Sequence, residues 1–314
     1  MKISIWFSDM WGFEQYLFNP SVNFFYASLE AYGFNVSLDK DNPDVLFYSC
    51  FGLEHKKYRN SIKIFFTGEN IPRANPAIKV HPDYNECHFS LSYLPQSELN
   101  YQVPLWVLFV NWFGVTQPLP LPSNPAFLID ENQLSIPPFD RGYRYYAKSR
   151  FCAFMNNNLV KDRVKLFLDL EKQHGEVDSY GTLFNSQPGG LPLRGSEQDK
   201  LRVYEKHKFV ISYENSYRSG YVTEKLIHPY SVGAIPLYKG GVDYSIYNKQ
   251  AFISRDLFSS DDEYLEYILT VSNSEELFNT TLKEPLFVDG DIPLRFKPTA
   301  IVNWLAEKLY FLFS

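Results

Sequence analysis

Two charged residues, Glu224 and Lys225, stand side by side in the segment SYENSYRSGYVTEKLIHPYSVGAIPLYKGG, residues 212–241. The pattern predicts a helix from Val222 to Ser231 after an apolar strand and a polar, tyrosine-rich turn, so both side chains fall in its first turn. The first N–H groups of a helix have no partner within the helix and can bind phosphate, and a lysine adds positive charge there. On spacing alone, a Glu–Lys pair that only caps the helix is favoured over such a phosphate site.

Other side chains that could take part in catalysis or binding form weaker patterns. Glu69 follows the apolar run IKIFF, and Gly68-Glu69-Asn70 by itself is typical of an ordinary turn. His228 lies one helical turn beyond Glu224 on the same face, where a core or surface histidine is favoured over a functional one. The six histidines show no metal-ligand spacing, which argues against a metal site.

The composition is that of a globular protein, with 314 residues of which 45% are hydrophobic, 21% charged and 18% aromatic. A net charge of −6 at pH 7 argues against a nucleic-acid-binding surface, but leaves an anionic small molecule open if cations are concentrated locally. Three widely spaced cysteines without a CxxC pair predict reduced, buried thiols in a cytosolic protein. We expect a cytoplasmic protein without a signal peptide or transmembrane segment, and peripheral association with the inner membrane stays open.

The elements that must position these residues alternate between strand and helix. ISIWF (3–7) is a predicted buried strand, and a helix through SVNFFYASLEAYG ends at Gly33. Short apolar runs follow as FNVSL, DVLFYSCF, IKIFFTG and HFSLSY. Such alternation predicts a parallel sheet in βαβ arrangement.

A second alternating series begins at RFCAFM (150–155), after a stretch at 116–142 that carries six prolines. It contains a predicted helix from Leu159 to His174 with Gly175 as its stop, the charged helix SEQDKLRVYEKH, and the strands KFVIS and AIPLY. We therefore predict an α/β domain at 1–115, a linker at 116–148, a second α/β domain at 149–296 and a closing helix at 297–314.

The segment FVISYENSYRSGYVTEKLIHPYSVGAIPLYKG resembles the signature of the α-1,3-fucosyltransferase family, glycosyltransferase family 10. Members carry Glu-Asn-Ser, a spacer, Tyr-Val-Thr-Glu-Lys and a later Pro and Gly. IKIFFTGENIP is similar to the family's Thr-Gly-Glu-Asn element, FMNNNLVKDRVKLFLDL to its Asn-rich turn and Arg-bearing helix, and DMWG to an N-terminal Trp-Trp-Gly-type element. The resemblance is to bacterial-type soluble members, and it is weak at 95–148 and 255–314.

This resemblance implies a GT-B fold, with two Rossmann-like α/β domains facing a central cleft. It implies an inverting α-1,3-fucosyltransferase that moves L-fucose from GDP-β-L-fucose to a glycan hydroxyl. The acceptor would bind the N-terminal domain and GDP-fucose the C-terminal one. The family's usual acceptor is GlcNAc in N-acetyllactosamine-type glycans, while a chitobiose core or a bacterial surface polysaccharide stays open.

Individual roles carried over from the family fall on six residues: diphosphate-binding cations at Arg163 and Lys225, donor contacts at Asn215 and Tyr221, a carboxylate beside the fucose at Glu224, and the proposed general base at Glu69. The chemistry agrees with these roles. Cations stabilise the GDP leaving group, a carboxylate stabilises an oxocarbenium-like carbon, and a sugar hydroxyl needs a base within about 3 Å. No cofactor is expected, and a divalent metal would at most stimulate the reaction.

The acceptor surface and two alternative functions remain as hypotheses. Trp11 and Phe13 are candidate acceptor-platform rings, because they follow the first strand of the half that carries Glu69. One alternative is a metal-dependent GT-A glycosyltransferase with manganese held by Asp289 and Asp291. The other is a non-catalytic module that binds a sugar nucleotide or a glycan, although such a module would need the cations but not the base.

Overall fold

The computed structural model describes residues 1–10, 23–70, 86–117, 119, 125–184 and 197–313. Trp11 and Phe13, the predicted acceptor-platform rings, lie outside these residues. The chain divides into two compact units, one formed by 1–127 with 294–314 and the other by 128–293. No helix of the described part is long and apolar enough to cross a membrane.

The first unit is built on a sheet of six parallel strands in the order β2-β1-β3-β4-β5-β6. The strands are β1 (Lys2–Ser8), β2 (Asn35–Leu38), β3 (Val45–Tyr48), β4 (Ile62–Phe66), β5 (Phe89–Ser92) and β6 (Asn100–Gln102). All four residues of β3 are buried, which is why its sequence VLFY is a continuous apolar run. Short 3₁₀ helices lie at Glu54–Lys57 and Leu105–Phe109.

Two helices complete the first unit. Helix α1 (Phe24–Ala31) begins after Asn23, whose side chain caps the Tyr26 N–H, and Gly33 follows with a φ of +95°. The last helix of the chain, α8 (Pro298–Phe313), belongs to this unit. Its Trp304 ring packs on those of Phe89 and Tyr101, so the predicted closing helix covers the first sheet.

The second unit is built on five parallel strands in the order β11-β10-β9-β7-β8. The strands are β7 (Arg150–Phe154), β8 (Val177–Ser179), β9 (His207–Ile211), β10 (Ile235–Tyr238) and β11 (Ile253–Ser254). The helices are α2 (Asn132–Ser135), α3 (Lys161–Gln173), α4 (Glu197–Glu205), α5 (Glu224–Ser231), α6 (Asp261–Asn273) and α7 (Glu275–Lys283). Gly175 stops α3 as expected, with a φ of +77°.

Residues 128–148, which the sequence assigned to a linker, are packed as part of the second unit. Phe139, Tyr143 and Tyr145 lie against its hydrophobic core. The half-buried guanidinium of Arg141 donates to the carbonyl oxygens of Tyr230 and Ser231, at 3.0 and 2.5 Å. The Lys148 ammonium donates to Glu205 O and Val232 O, at 2.8 and 2.7 Å. The end of this segment therefore binds the carboxyl ends of α4 and α5, where helix carbonyls lack internal partners.

The strand order reverses at one position in each sheet, between β1 and β3 in the first unit and between β7 and β9 in the second. In open parallel sheets, ligands bind outside the carboxyl ends of the strands at such a reversal. The loops that follow β7 and β9 are therefore the expected ligand-binding part of the second unit.

Candidate active site

A buried carboxylate, Glu214, organises the loop after β9. Its Oε1 accepts hydrogen bonds from the Thr223 N–H at 2.8 Å and from the Tyr238 hydroxyl at 3.1 Å. The Thr223 hydroxyl lies 3.0 and 2.9 Å from its two oxygens. Burial raises the pKa of Glu214, while neighbouring Lys225 acts in the opposite direction. Glu214 thus joins the loop after β9 to the start of α5 and to β10.

The start of α5 differs from the prediction in one respect. The helix begins at Glu224, with Thr223 as its N-cap, two residues later than predicted. The Thr223 N–H is taken by Glu214, and the Lys225 N–H lies 3.4 Å from the Thr223 hydroxyl oxygen. The N–H groups of Thr223 and Lys225, which belong to the first turn of the predicted helix, therefore have partners inside the protein. An incoming anion would depend on side-chain cations more than on this helix end.

Two lysines flank the carboxylate of Glu224. The Lys225 ammonium lies 3.2 Å from Glu224 Oε1, and the Lys200 ammonium of α4 lies 3.9 Å from the same oxygen. Burial raises the pKa of Glu224, but Lys225, Lys200 and His228 together hold it well below its ordinary value. Glu224 therefore stays ionised at neutral pH.

Arg163 lies at the reversal point of the second sheet. From α3 its guanidinium donates to Tyr213 O at 2.7 Å, to Asn156 Oδ1 at 2.6 Å and to Asn215 Oδ1 at 2.8 Å. Asn156 follows β7, whereas Tyr213 and Asn215 follow β9, so Arg163 ties together the two loops expected to hold ligand. Its side chain is buried, with a residue exposure of 2%. Burial lowers its pKa, while the charges of Glu214 and Glu224 act in the opposite direction.

The turn that carries Tyr221 is held by a close backbone approach. Ser219 pairs with Gly241 in a parallel bridge, and the Gly220 N–H donates to Gly241 O at 2.7 Å. A Cβ on Gly241 would lie 1.6 Å from the Arg218 carbonyl oxygen, so only glycine fits there. Tyr221 is buried by this arrangement. The structure thus brings together five predicted residues: Arg163, Asn215, Tyr221, Glu224 and Lys225.

A cavity of about 220 Å³ lies beside this cluster, at the carboxyl ends of β9, β10 and β11. Its charged side chains are joined in ion pairs: Lys239–Asp162 at 2.6 Å, Lys165–Asp261 at 2.8 Å and Arg255–Asp261 at 2.6 Å. The cavity is therefore polar, with most of its charge already balanced.

Glu69 lies in the first unit, just beyond the carboxyl end of β4. It is half-buried, and its N–H donates to the Thr67 hydroxyl at 3.0 Å. It lines a small cavity of about 50 Å³ whose other walls are mostly apolar. Those walls are formed by Met10, Ser49, Phe51, Phe66, Gly68, Leu105, Leu108, Phe109 and Pro125. The Glu69 side chain thus borders a cavity lined mostly by apolar residues.

Several remaining candidates are accounted for by packing. His228 is fully buried in α5, as favoured from the sequence, and burial lowers its pKa well below the ordinary value. Asp291 Oδ1 accepts from the Ser135 hydroxyl at 2.7 Å, in a turn with Asp289 and Gly290. Among the described residues, no group of three or more His, Cys, Asp or Glu side chains could hold a metal ion. The three cysteines are free and buried, as predicted.

Sequence reasoning missed three residues of this cluster: Glu214, Asn156 and Lys200. Glu214 and Asn156 had a usable signal, because each is a polar residue directly beyond a buried strand of a predicted parallel sheet. Lys200 had none, since a lysine on a charged helix is typical of a solvated face.

The sequence matches two family models. Residues 146–283 match "Glycosyltransferase family 10 (fucosyltransferase) C-term", and residues 5–109 match "Alpha-(1,3)-fucosyltransferase FucT N-terminal domain". Together these regions cover most of the chain. The protein belongs to glycosyltransferase family 10, the fucosyltransferase family that its motifs resemble.

Curated relatives agree with this assignment. The Helicobacter pylori "Alpha-(1,3)-fucosyltransferase FucT" is 25% identical over 85% of this chain and 56% of its own. A putative fucosyltransferase of Acanthamoeba polyphaga mimivirus is 29% identical over 47% of this chain and 26% of its own. The Gallus gallus "GDP-fucose protein O-fucosyltransferase 3" is 32% identical over 38% of this chain and 26% of its own. The chain thus spans only about a quarter to a half of the length of these relatives.

A crystal structure of an α1,3-fucosyltransferase superposes with a TM-score of 0.72 at 20% identity, over 98% of this chain and 90% of that one. The structure titled as the α1,3-fucosyltransferase with GDP-fucose has a TM-score of 0.70 at the same identity and coverage. The predicted GT-B fold, with two Rossmann-like α/β units, is confirmed. The GT-A alternative was wrong, because the chain forms two separate parallel sheets.

Proposed function

We propose that the protein is an inverting α-1,3-fucosyltransferase that transfers L-fucose from GDP-β-L-fucose to a glycan hydroxyl. The observation that carries the proposal is the cluster of Arg163, Lys225 and Glu224 beyond the carboxyl ends of β7 and β9, in a chain of family 10. Membership of that family supports the donor, and the cluster supplies the charges that the donor's chemistry needs.

The donor's diphosphate gains negative charge as the bond to the fucosyl carbon breaks. In our proposal the Lys225 ammonium contacts the phosphate oxygens, because it is partly exposed and its neighbours hold it beside Glu224. Arg163 contributes its charge from the buried side and fixes the loops that receive the nucleotide. These cations would stabilise the leaving group without a metal ion.

The fucosyl carbon gains positive charge in the same step. Glu224 would stabilise it electrostatically, since its low pKa keeps it ionised. Glu69 would act as the general base that takes the proton from the acceptor hydroxyl as the hydroxyl oxygen attacks that carbon. The new bond forms on the face opposite the departing GDP, so this single displacement inverts the configuration of the carbon.

Glu69→Gln tests the mechanism because the amide keeps the size of the side chain but cannot accept the proton. We expect kcat to fall about 10²–10⁴-fold, the usual contribution of a general base. GDP affinity and melting temperature should stay near wild type, since the second unit holds the donor cluster. The measurement is GDP release with GDP-fucose and acceptor, with and without a chelator. Glu54→Gln, an exposed carboxylate of the same unit, is the control.

More than about a tenth of wild-type kcat in Glu69→Gln would remove Glu69 from the mechanism, and Glu224 would then be tested as the base. Loss of wild-type activity with the chelator would contradict metal-independent transfer.

For the acceptor, we propose GlcNAc in an N-acetyllactosamine-type glycan. The relatives' names point to two acceptor classes, because some are α-1,3-fucosyltransferases and others protein O-fucosyltransferases. A panel should therefore contain N-acetyllactosamine, a chitobiose core, and a folded domain with free serine and threonine hydroxyls. Transfer only to the protein domain would refute the glycan acceptor and leave the donor assignment intact.

A further inference from the structure

A cation that family resemblance did not single out stands at the same carboxylate as Lys225. Lys200 lies on α4, whereas Lys225 lies on α5. Both ammonium groups face Glu224 Oε1, at 3.9 and 3.2 Å. Both side chains are 22% exposed, so each reaches solvent at this point.

The three cations of the cluster differ in how much of their hydrogen-bonding capacity the protein already uses. Arg163 is buried and donates to three protein oxygens. The Lys225 ammonium lies 3.1 Å from the Thr223 hydroxyl, 3.2 Å from Glu224 and 3.7 Å from Glu214. Lys200 has Glu224 at 3.9 Å, beyond hydrogen-bond distance. A lysine ammonium has three donors, so Lys200 has the most capacity left for a ligand.

The charge balance of the cluster points the same way. Lys225 faces two carboxylates, Glu214 and Glu224, which offset its charge before any ligand binds. Arg163 also lies within the influence of Glu214 and Glu224, so two carboxylates offset the charges of Arg163 and Lys225. A diphosphate with at least two negative charges would therefore meet little net positive charge from those two cations. Lys200 supplies additional positive charge at the same carboxylate oxygen, from a different helix.

We propose that Lys200 is a third diphosphate-binding cation, so that lysines from two helices, α4 and α5, contact the phosphates beside Glu224. This inference rests on the proposed function, since it takes a sugar nucleotide as the ligand. The competing role for Lys200 is purely structural. In that role its ammonium would only pair with Glu224 and lie near the Tyr204 ring, whose centre is 5.8 Å away. The two roles predict different results when the Lys200 charge is removed. Only a phosphate contact makes the loss of affinity depend on the phosphates of the ligand.

The experiment compares Lys200→Gln with wild type in calorimetric titrations with GDP and with guanosine, at several salt concentrations. Arg202→Gln is the matched control, because Arg202 lies on the same helix, is 66% exposed and pairs with Asp199. A charge-assisted contact corresponds to a loss of GDP affinity of roughly 10- to 100-fold in Lys200→Gln. The guanosine affinity of Lys200→Gln should stay within twofold of wild type, and so should the GDP affinity of Arg202→Gln. Lys200→Arg should recover most of the affinity, and the salt dependence of Lys200→Gln should be shallower.

Lys225→Gln separates the failure of this inference from that of the proposed function. If Lys225→Gln weakens GDP binding and Lys200→Gln changes it less than twofold, Lys200 has no part in diphosphate binding. An equal loss of guanosine and GDP affinity in Lys200→Gln would also overturn the inference, because the phosphates would not be its target. If the wild-type protein binds no GDP, both the proposed function and this inference fail.

Discussion

Replacing Arg163 by lysine tests whether one guanidinium holds together the loops after β7 and β9, which we propose to bind the nucleotide. Its three acceptors, Tyr213 O, Asn156 Oδ1 and Asn215 Oδ1, lie 2.6–2.8 Å from three different nitrogens. The three acceptors lie around the planar guanidinium group. The single ammonium of a lysine, at the end of a flexible side chain, can replace only some of these hydrogen bonds. We assume that lysine keeps one of the three contacts.

A hydrogen bond from a charged donor contributes about 1.5–3 kcal/mol, so losing two gives a loss of about 3–6 kcal/mol in the free energy of unfolding. Asn215 is only half-buried, and water can satisfy its oxygen after the exchange. The expected loss is therefore near the lower end, about 3 kcal/mol. GDP affinity should fall as well, because the loops after β7 and β9 lose their common anchor.

Urea unfolding followed by fluorescence, together with GDP calorimetry, measures both effects. Arg150→Lys is the control, because Arg150 makes a comparable two-oxygen contact with Asp178, at 2.7 and 2.8 Å, but is 52% exposed. Exposed pairs contribute about 1 kcal/mol or less. A loss in Arg163→Lys that is no larger than in Arg150→Lys would refute the anchoring role.

Two further predictions concern backbone packing and pH. Gly241→Ala should lower both the melting temperature and GDP affinity, because its Cβ would lie 1.6 Å from Arg218 O; unchanged values would show that the turn can shift without cost. Burial lowers the pKa of Lys148 to about 7, with Glu205 and Arg141 as its charged neighbours. The unfolded chain therefore holds a proton between pH 7 and 10 that the folded chain has released, and wild-type stability relative to Lys148→Met should rise by about 2 kcal/mol from pH 7 to 9. A difference that is flat or falls with pH in chemical unfolding would contradict this.

Much of the fold follows from local pattern. Helix α3 was predicted within two residues, because its apolar positions repeat with helical spacing and Gly175 can adopt the positive φ that ends it. Strand β6 was missed, since NYQ has no apolar alternation and forms a strand only by pairing with β5. The linker prediction was wrong for residues 128–148, which belong to the second unit. Proline density argued against regular structure there, but the stretch contains the short helix α2, and Phe139 and Tyr143 pack on the core of the second unit.

The candidate site divides in a similar way. Glu224 and Lys225 could be found because residue type and position in the first turn of a helix are local properties. The roles of Glu214 and Lys200 depend on which distant residues the sheet order brings beside them, such as Tyr238 and Glu224. One sequence does not contain that information in any short pattern.

The last helix of the chain has a consequence for exchanging parts between related enzymes. Because α8 packs on the first sheet, with the Thr299 hydroxyl bonded to the Tyr32 hydroxyl at 2.6 Å, the first unit is made of two separate pieces of chain. The second unit, 128–293, is one uninterrupted insertion between them. A chimera that tests our proposal that the second unit binds the donor should therefore move 128–293 as one uninterrupted segment and keep α8 with the first unit. Cutting at the end of the predicted linker, near residue 149, would separate Arg141 and Lys148 from the helix ends that they bind.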